Sequence, residues 1–146
     1  MELIQEFSLS KKVANQSFIM GSIMLLGGVM LFFLLGNLTL IGLGIFLLVI
    51  GGLNQNLKIV KVYPQYLEIK LGVIASKKFV KYDQITQFKI ANKLLLIHYN
   101  NDEKKPKKVK IATRALAQED IITLNEVLLK KTDLDASNSL ITTVIK

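Results

Sequence analysis

The sequence predicts an α+β fold, in which a two-helix transmembrane hairpin precedes a small antiparallel β-sandwich or barrel capped by one C-terminal helix. The first observation is a mostly apolar run, residues 13–57, that contains no charged residue. The second is a series of short segments rich in β-branched residues after residue 57, which is typical of strands. The third is a change to helical spacing after residue 116. We therefore divide the chain into a lead (1–12), a hairpin (13–56), a β-domain (57–131) and a tail (132–146).

The uncharged run is long enough to cross a bilayer twice. A transmembrane helix needs about 20 apolar residues, and the turn-like cluster in the middle of the run is GNLT at residues 36–39. Two helices are therefore predicted, over 17–35 and 38–54. A secretory signal peptide is the alternative interpretation. The apolar core of a signal peptide is shorter than this run, however, and this chain has no small-residue cleavage site before a polar segment.

Lysines flank the predicted hairpin on both sides. Lys11 and Lys12 precede the first helix, Lys58 and Lys61 follow the second, and the connecting turn carries no charge. Short loops rich in Lys and Arg stay in the cytoplasm. Both termini are therefore expected to be cytoplasmic.

Glycines at helical spacing predict the contact between the two helices. Small residues let helix backbones approach closely in lipid. If the chain reverses near residues 36–37, Gly28 should lie opposite Gly44, and Gly21 opposite Gly51. The alternative is that glycine is simply common in membrane helices.

The formal net charge of +8 resides in the part of the chain that follows the hairpin. Such a basic balance suits either nucleic acid or an anionic membrane surface. The membrane tether favours the second, because each lysine near an anionic leaflet contributes about 1 kcal/mol, and no nucleic-acid partner is expected. The chain has no cysteine, which excludes disulfides and thiolate metal sites.

Six strands are predicted in the β-domain, mainly from alternation of apolar and polar residues. They cover residues 57–63, 66–73, 77–82, 85–90, 94–99 and 107–112. Residues 94–99 are apolar on both faces, as in a central strand. The lead (1–12) is expected to lie at the membrane interface or to be loose.

A helix of about 14 residues is predicted within 116–131, since Ala117, Ile121, Leu124 and Leu128 share one face. Acidic residues in its first turn and lysines in its last complement the helix dipole. In the tail, residues 140–145 have strand character, although chain ends are usually disordered.

The order of these elements resembles the bacterial pleckstrin-homology-like domain of small membrane proteins with an N-terminal helical hairpin. The resemblance covers about 57–131 and rests on VYPQYLEIKLGVIASKKFVKYDQITQF, LLLIHYNNDEKKPKKVKIATRAL and AQEDIITLNEVLLKK. The resemblance implies seven strands in two curved sheets, one strand more than the six predicted from the sequence pattern. It also implies a Ser or Thr as N-cap of the C-terminal helix, where this chain has Ala117. Eukaryotic members bind phosphoinositides through a long first loop. The corresponding turn is tight here, at residues 63–66, so that mode is not carried over.

Two groups of lysines are the candidate binding residues. They are Lys77, Lys78 and Lys81 in the first group, and Lys104, Lys105, Lys107, Lys108 and Lys110 in the second. They are expected to meet anionic headgroups or an acidic partner, or else to form a solvated face. His98 has no companions that would make a metal or catalytic site. No catalytic residues, metal site or cofactor are predicted.

The expected function is that of a non-enzymatic interaction module in a bacterial inner membrane, of the multi-pass class. Its basic β-domain would bind a protein partner or the anionic leaflet, and it could form homo-oligomers. The alternative is an accessory subunit whose hairpin packs into a larger transporter or assembly complex.

Overall fold

A computed structural model describes residues 2–91, 93–132 and 134. The fold is α+β, with two helices near the N-terminus, two antiparallel sheets and a C-terminal helix. The chain forms two compact units. One contains the described residues of Met1–Ser8, Lys58–Leu71 and Ala75–Lys146, and the other contains Leu9–Leu57 with Gly72–Ile74.

Helices α1 (Lys11–Leu35) and α2 (Thr39–Gln55) confirm the two predicted helices, with α1 beginning earlier than expected. Gly36 ends α1 at φ +67° and donates its N–H to the Phe32 carbonyl, a conformation that glycine adopts without strain. The Asn37 side chain then accepts a hydrogen bond from the Thr39 N–H at 2.8 Å. By length and composition, α1 is the one helix in the described ranges that could cross a membrane, whereas α2 is apolar but shorter.

The four glycines predicted at the contact between the helices, here called the seam, are Gly21, Gly28, Gly44 and Gly51, and all four are buried. The predicted register of the seam is wrong. A Cβ built on Gly28 would lie 2.8 Å from the Ile41 nitrogen, and one built on Gly44 would lie 2.7 Å from the Leu25 nitrogen. Gly21 likewise faces Leu48, and Gly51 faces Phe18. At each of these glycines the nearest atoms of the antiparallel partner helix belong mainly to its backbone, so the two helix backbones approach closely. Gly21 and Gly44 do face each other, since a Cβ on Gly21 would lie 3.0 Å from the Gly44 carbonyl oxygen, so the glycine pairing is shifted in register.

The first sheet has the order β1-β2-β3-β4 and is antiparallel throughout. Its strands are β1 (Gln5–Ser8), β2 (Lys58–Val62), β3 (Tyr66–Ile69) and β4 (Lys78–Lys81). β1 corrects the expectation of a loose or interfacial lead. It pairs with β2, Phe7 is 1% exposed, and Lys58 forms an ion pair with Glu6 at 2.6 Å.

The predicted strand 66–73 is too long, because β3 ends at Ile69. Leu71 continues the alternation of Leu67 and Ile69, yet it lies in the β3–β4 loop and is exposed. The core face of this sheet comprises Val60, Val62, Leu67, Ile69 and Val80.

The second sheet has the order β5-β6-β7, with β5 (Ile85–Ala91), β6 (Leu94–Asn100) and β7 (Pro106–Ala112). The central position predicted for β6 is confirmed, but only one of its faces is buried. Leu95, Ile97 and Tyr99 point inward, and the alternate residues are partly exposed.

Short 3₁₀ turns at Tyr82–Gln84 and Thr113–Ala115 precede β5 and the C-terminal helix. That helix, α3 (Gln118–Lys131), confirms the predicted length, end charges and N-cap position. Ala117 has no side-chain cap, and its carbonyl accepts the Ile121 N–H. Leu124 and Leu128 are fully buried. The strand character noted at 140–145 lies outside the described residues.

Candidate functional site

Three aromatic side chains gather on one face of the first sheet. Tyr63 stacks on Tyr66 with ring centroids 4.7 Å apart, and Tyr66 meets Phe79 edge-on at 5.8 Å. The register explains this cluster, because Tyr66 pairs with Lys81 and its neighbour on the same face, Glu68, pairs with Phe79. Phe79 remains 57% exposed, so the aromatic cluster is open to solvent.

Acidic side chains neutralise part of the first lysine group. The Lys77 Nζ lies 2.9 Å from a carboxylate oxygen of the buried residue Glu68. The hydrogen bond and negative charge of Glu68 raise the pKa of Lys77 above its ordinary value. Lys77 therefore offers less free charge to a ligand than its sequence position suggests.

Asp102 joins the two lysine groups, which are distant in sequence. Its carboxylate accepts hydrogen bonds from Lys81 at 3.0 Å and from the Gln84 side chain at 2.7 Å. The Lys81 hydrogen bond, followed by that of Gln84, lowers the pKa of Asp102, and the same contact raises the pKa of Lys81. The turn between β6 and β7 is thereby held beside the end of β4.

The β6–β7 turn presents the second lysine group. The Asn101 side chain accepts the Lys105 N–H at 2.8 Å, and Lys104 adopts a left-handed φ of +56°. Lys105 forms an exposed ion pair with Glu103 at 2.8 Å. Such exposed pairs contribute little to stability, so this turn remains available for an external ligand.

The other predicted binding lysines are exposed and, within the described part of the chain, have no carboxylate partner. They are Lys78, Lys104, Lys107 and Lys108, and the same holds for Lys110. Lys108 and Lys110 pair in register with His98 and Leu96, so they lie with His98 on the outward face of the second sheet. The accessible positive charge is therefore concentrated on β7 and the turn before it.

A cleft of about 580 Å³ lies beside the aromatic cluster. The β2–β3 turn forms one wall through Pro64, Gln65 and Tyr66, while residues 81–83 and the end of α3, Lys131 and Thr132, form the others. Two lysines and Asp83 line it, so it suits a polar or anionic group. Neither the cleft nor the aromatic cluster was predicted, although the spacing of Tyr63, Tyr66 and Phe79 on neighbouring strands was the available signal.

Tyr82 lines this cleft but is unsuited to acid–base chemistry at neutral pH. Its hydroxyl donates to the Tyr63 carbonyl at 3.0 Å, and burial raises its pKa to about 12. No group of three His, Asp or Glu residues that could hold a metal ion occurs among the residues that the structure describes. The arrangement favours binding through charge and aromatic contact.

Neither the family models, nor the curated proteins, nor the solved structures contain a match. The resemblance to bacterial pleckstrin-homology-like domains therefore stays a prediction.

Proposed function

We propose that this protein is a non-enzymatic module, anchored in a bacterial inner membrane, whose basic β-domain binds the anionic cytoplasmic leaflet. The observation that carries the proposal is the exposure of apolar side chains on α1. Only 11% of its most apolar stretch is buried, and Phe33 is 82% exposed. Monomeric soluble proteins rarely expose apolar patches of this extent, whereas hydrocarbon solvates them.

The pairing of β1 with β2 supports a second crossing by α2. The two strands are hydrogen-bonded neighbours, so the chain enters α1 and leaves α2 on the same side of the membrane. A chain that crosses once through α1 must therefore cross back. At 1.5 Å per residue, the 17 residues of α2 span about 26 Å. The shortfall from a core of about 30 Å is accommodated by local thinning of the bilayer.

The seam between the helices supports the same arrangement. Contact between helices in lipid depends on close packing, because lipid removes the hydrophobic drive for association. At each seam glycine the backbone of the other helix lies in close contact, so α2 is held beside α1 along its length. Two crossings would place both termini on one side of the membrane, and the flanking lysines favour the cytoplasmic side.

The β-domain is proposed to be pleckstrin-homology-like. A four-stranded and a three-stranded antiparallel sheet followed by a helix agree with the seven strands that the resemblance implies. The β1 strand supplies the one that the sequence pattern lacked. The accessible lysines of β7 and the turn before it provide the charge for the anionic leaflet.

Topology can be tested cleanly because the chain has no cysteine. Single-cysteine variants Asn37→Cys and Lys104→Cys would be treated with a membrane-impermeant maleimide in intact cells, after carbonate extraction has shown the chain in the pellet. We expect labelling at position 37 alone, with position 104 labelled only in broken cells. Labelling of position 104 from outside, or recovery of the chain in the supernatant, would contradict the anchor.

Lipid binding can be tested by amine footprinting of the full chain in nanodiscs. Lys104, Lys107 and Lys108 should react more slowly in discs that contain phosphatidylglycerol than in discs of phosphatidylcholine. Lys130, an exposed lysine on α3, serves as the internal control. Equal protection of all four lysines in both lipids would refute the proposed surface.

The accessory-subunit alternative is favoured by one observation. Gly27, Gly42 and Gly52 do not face the partner helix, and a Cβ at each would meet open space. They leave bare backbone on the outside of the pair, where a further helix could approach. Deletion of residues 55–146 separates the two functions. Capture of a membrane complex should survive deletion only if the helices bind the partner.

A further inference from the structure

The loop between β3 and β4 exposes apolar side chains. Ile74 is 84% exposed, more than Phe33 of α1, and Leu71 is 42% exposed. Leu71 continues the alternation of Leu67 and Ile69, which predicts a longer strand, yet the backbone leaves the sheet after Ile69. An apolar tip of this kind is unfavourable in water and suits an apolar environment.

The position of this loop in the chain places it close to the membrane surface. Gly72–Ile74 belongs to the same compact unit as α1 and α2. The Lys70 N–H donates to the Ile59 carbonyl at 2.8 Å, and Ile59 follows the last residue of α2, Gln55, by only four residues. An extended chain covers about 3.5 Å per residue, so the loop begins at the end of the sheet where the chain arrives from α2.

The charges around the loop match an anionic interface. Residues 70–78 contain three lysines and no acidic residue. Lys78 has no carboxylate partner among the described residues, while Lys77 uses Glu68. An apolar tip flanked by lysines is the pattern of segments that lie in the headgroup region, with the cations at the phosphates.

We infer that residues 71–74 insert into the cytoplasmic leaflet of the membrane that holds the helices, with Ile74 below the headgroups and Lys78 at the phosphates. This inference rests on the proposed function, since it requires the helices to be in that membrane. It adds a point of contact with the membrane beyond the two helices. This apolar contact is separate from the lysines of β7 and the turn before it, which the proposed function assigns to the anionic headgroups.

Tryptophan fluorescence tests the insertion, because the chain contains no tryptophan. The variant Ile74→Trp would be reconstituted as the full chain in vesicles that contain phosphatidylglycerol, with and without lipids brominated on the upper acyl chain. Leu71→Trp is a second reporter in case the first fails to fold. Ile122→Trp, at another half-exposed isoleucine, is the matched control on α3.

Insertion predicts that the emission of the Ile74→Trp variant shifts to shorter wavelength and loses most of its intensity to bromine, while the control at position 122 is unchanged. Emission at long wavelength without quenching would overturn the inference. Short-wavelength emission without quenching would overturn it as well, because the loop would then be covered by protein. Carbonate extraction of the same variants reports separately on the anchor, so a failed insertion is distinguishable from a failed proposed function.

Discussion

Replacing Gly44 with leucine tests the helix seam most directly. A Cβ at this position would lie 2.7 Å from the nitrogen and 2.9 Å from the Cα of Leu25, whereas ordinary contact begins at 3.4 Å. These atoms belong to the backbone of α1, so the helices must separate for the Cβ alone, and further for the rest of the side chain. Overpacking of this kind costs about 1–3 kcal/mol, which exceeds the gain of about 0.8 kcal/mol in helix propensity over glycine.

The matched control is Gly42→Leu, two residues away on the same helix, where an added Cβ meets open space. Gly42→Leu keeps the gain in helix propensity without the clash, so it should stabilise the helix pair where Gly44→Leu destabilises it. The assay is the distance between spin labels on cysteines introduced at Leu26 and Leu43, which are both exposed. Gly44→Leu should lengthen and broaden the distribution and Gly42→Leu should leave it unchanged. Identical distributions for both variants would refute the seam.

Three further predictions concern the β-domain. Phe7→Ala should lower the free energy of unfolding by about 3–5 kcal/mol, because the buried ring is replaced by a cavity, whereas Phe79→Ala at a 57% exposed position should cost far less; urea unfolding of both variants checks this. Tyr82→Phe should cost about 1 kcal/mol for the lost hydrogen bond to Tyr63. Burial raises the pKa of Tyr82 to about 12. The contribution of the neutral Tyr82 side chain to the free energy of unfolding should therefore be complete below about pH 10, the ordinary tyrosine pKa, and be lost as the pH rises towards 12. Absorbance titration of the Tyr82→Phe variant should show one fewer tyrosine that ionises at high pH. Asp102→Asn should remove stability that is present above the unfolded-state pKa of a carboxyl and fades as pH falls through its lowered folded value; thermal unfolding at neutral pH and in acid should therefore differ less in this variant than in the parent.

The sequence was sufficient for elements with a long or regular pattern. The uncharged run predicted both helices, and alternation found six of the seven strands. Strand β1 was missed because it has four residues and a single fully buried side chain, Phe7. A strand this short is defined by its partner, β2, which lies beyond both helices in sequence.

The errors have physical causes. The seam register was wrong by three residues of α2, from Gly44 to Ile41 opposite Gly28, because the spacing of glycines along each helix does not specify the offset between the two helices. The alternation of Leu67, Ile69 and Leu71 cannot distinguish a side chain facing a core from one facing outward. Likewise, the pairing of Lys77 with Glu68 and of Lys81 with Asp102 depends on tertiary structure, so the lysine runs overstate the free charge.

Strand β1 is synthesised before the two helices, and its partner in the first sheet, β2, is synthesised after them. During synthesis the sheet therefore lacks β2, β3 and β4 until both helices have left the ribosome. In the proposed topology, a chain that stalls between the two crossings would hold its start and its end on opposite faces of the bilayer, where β1 could not pair with β2. In that topology, completion of the first sheet requires insertion of both helices.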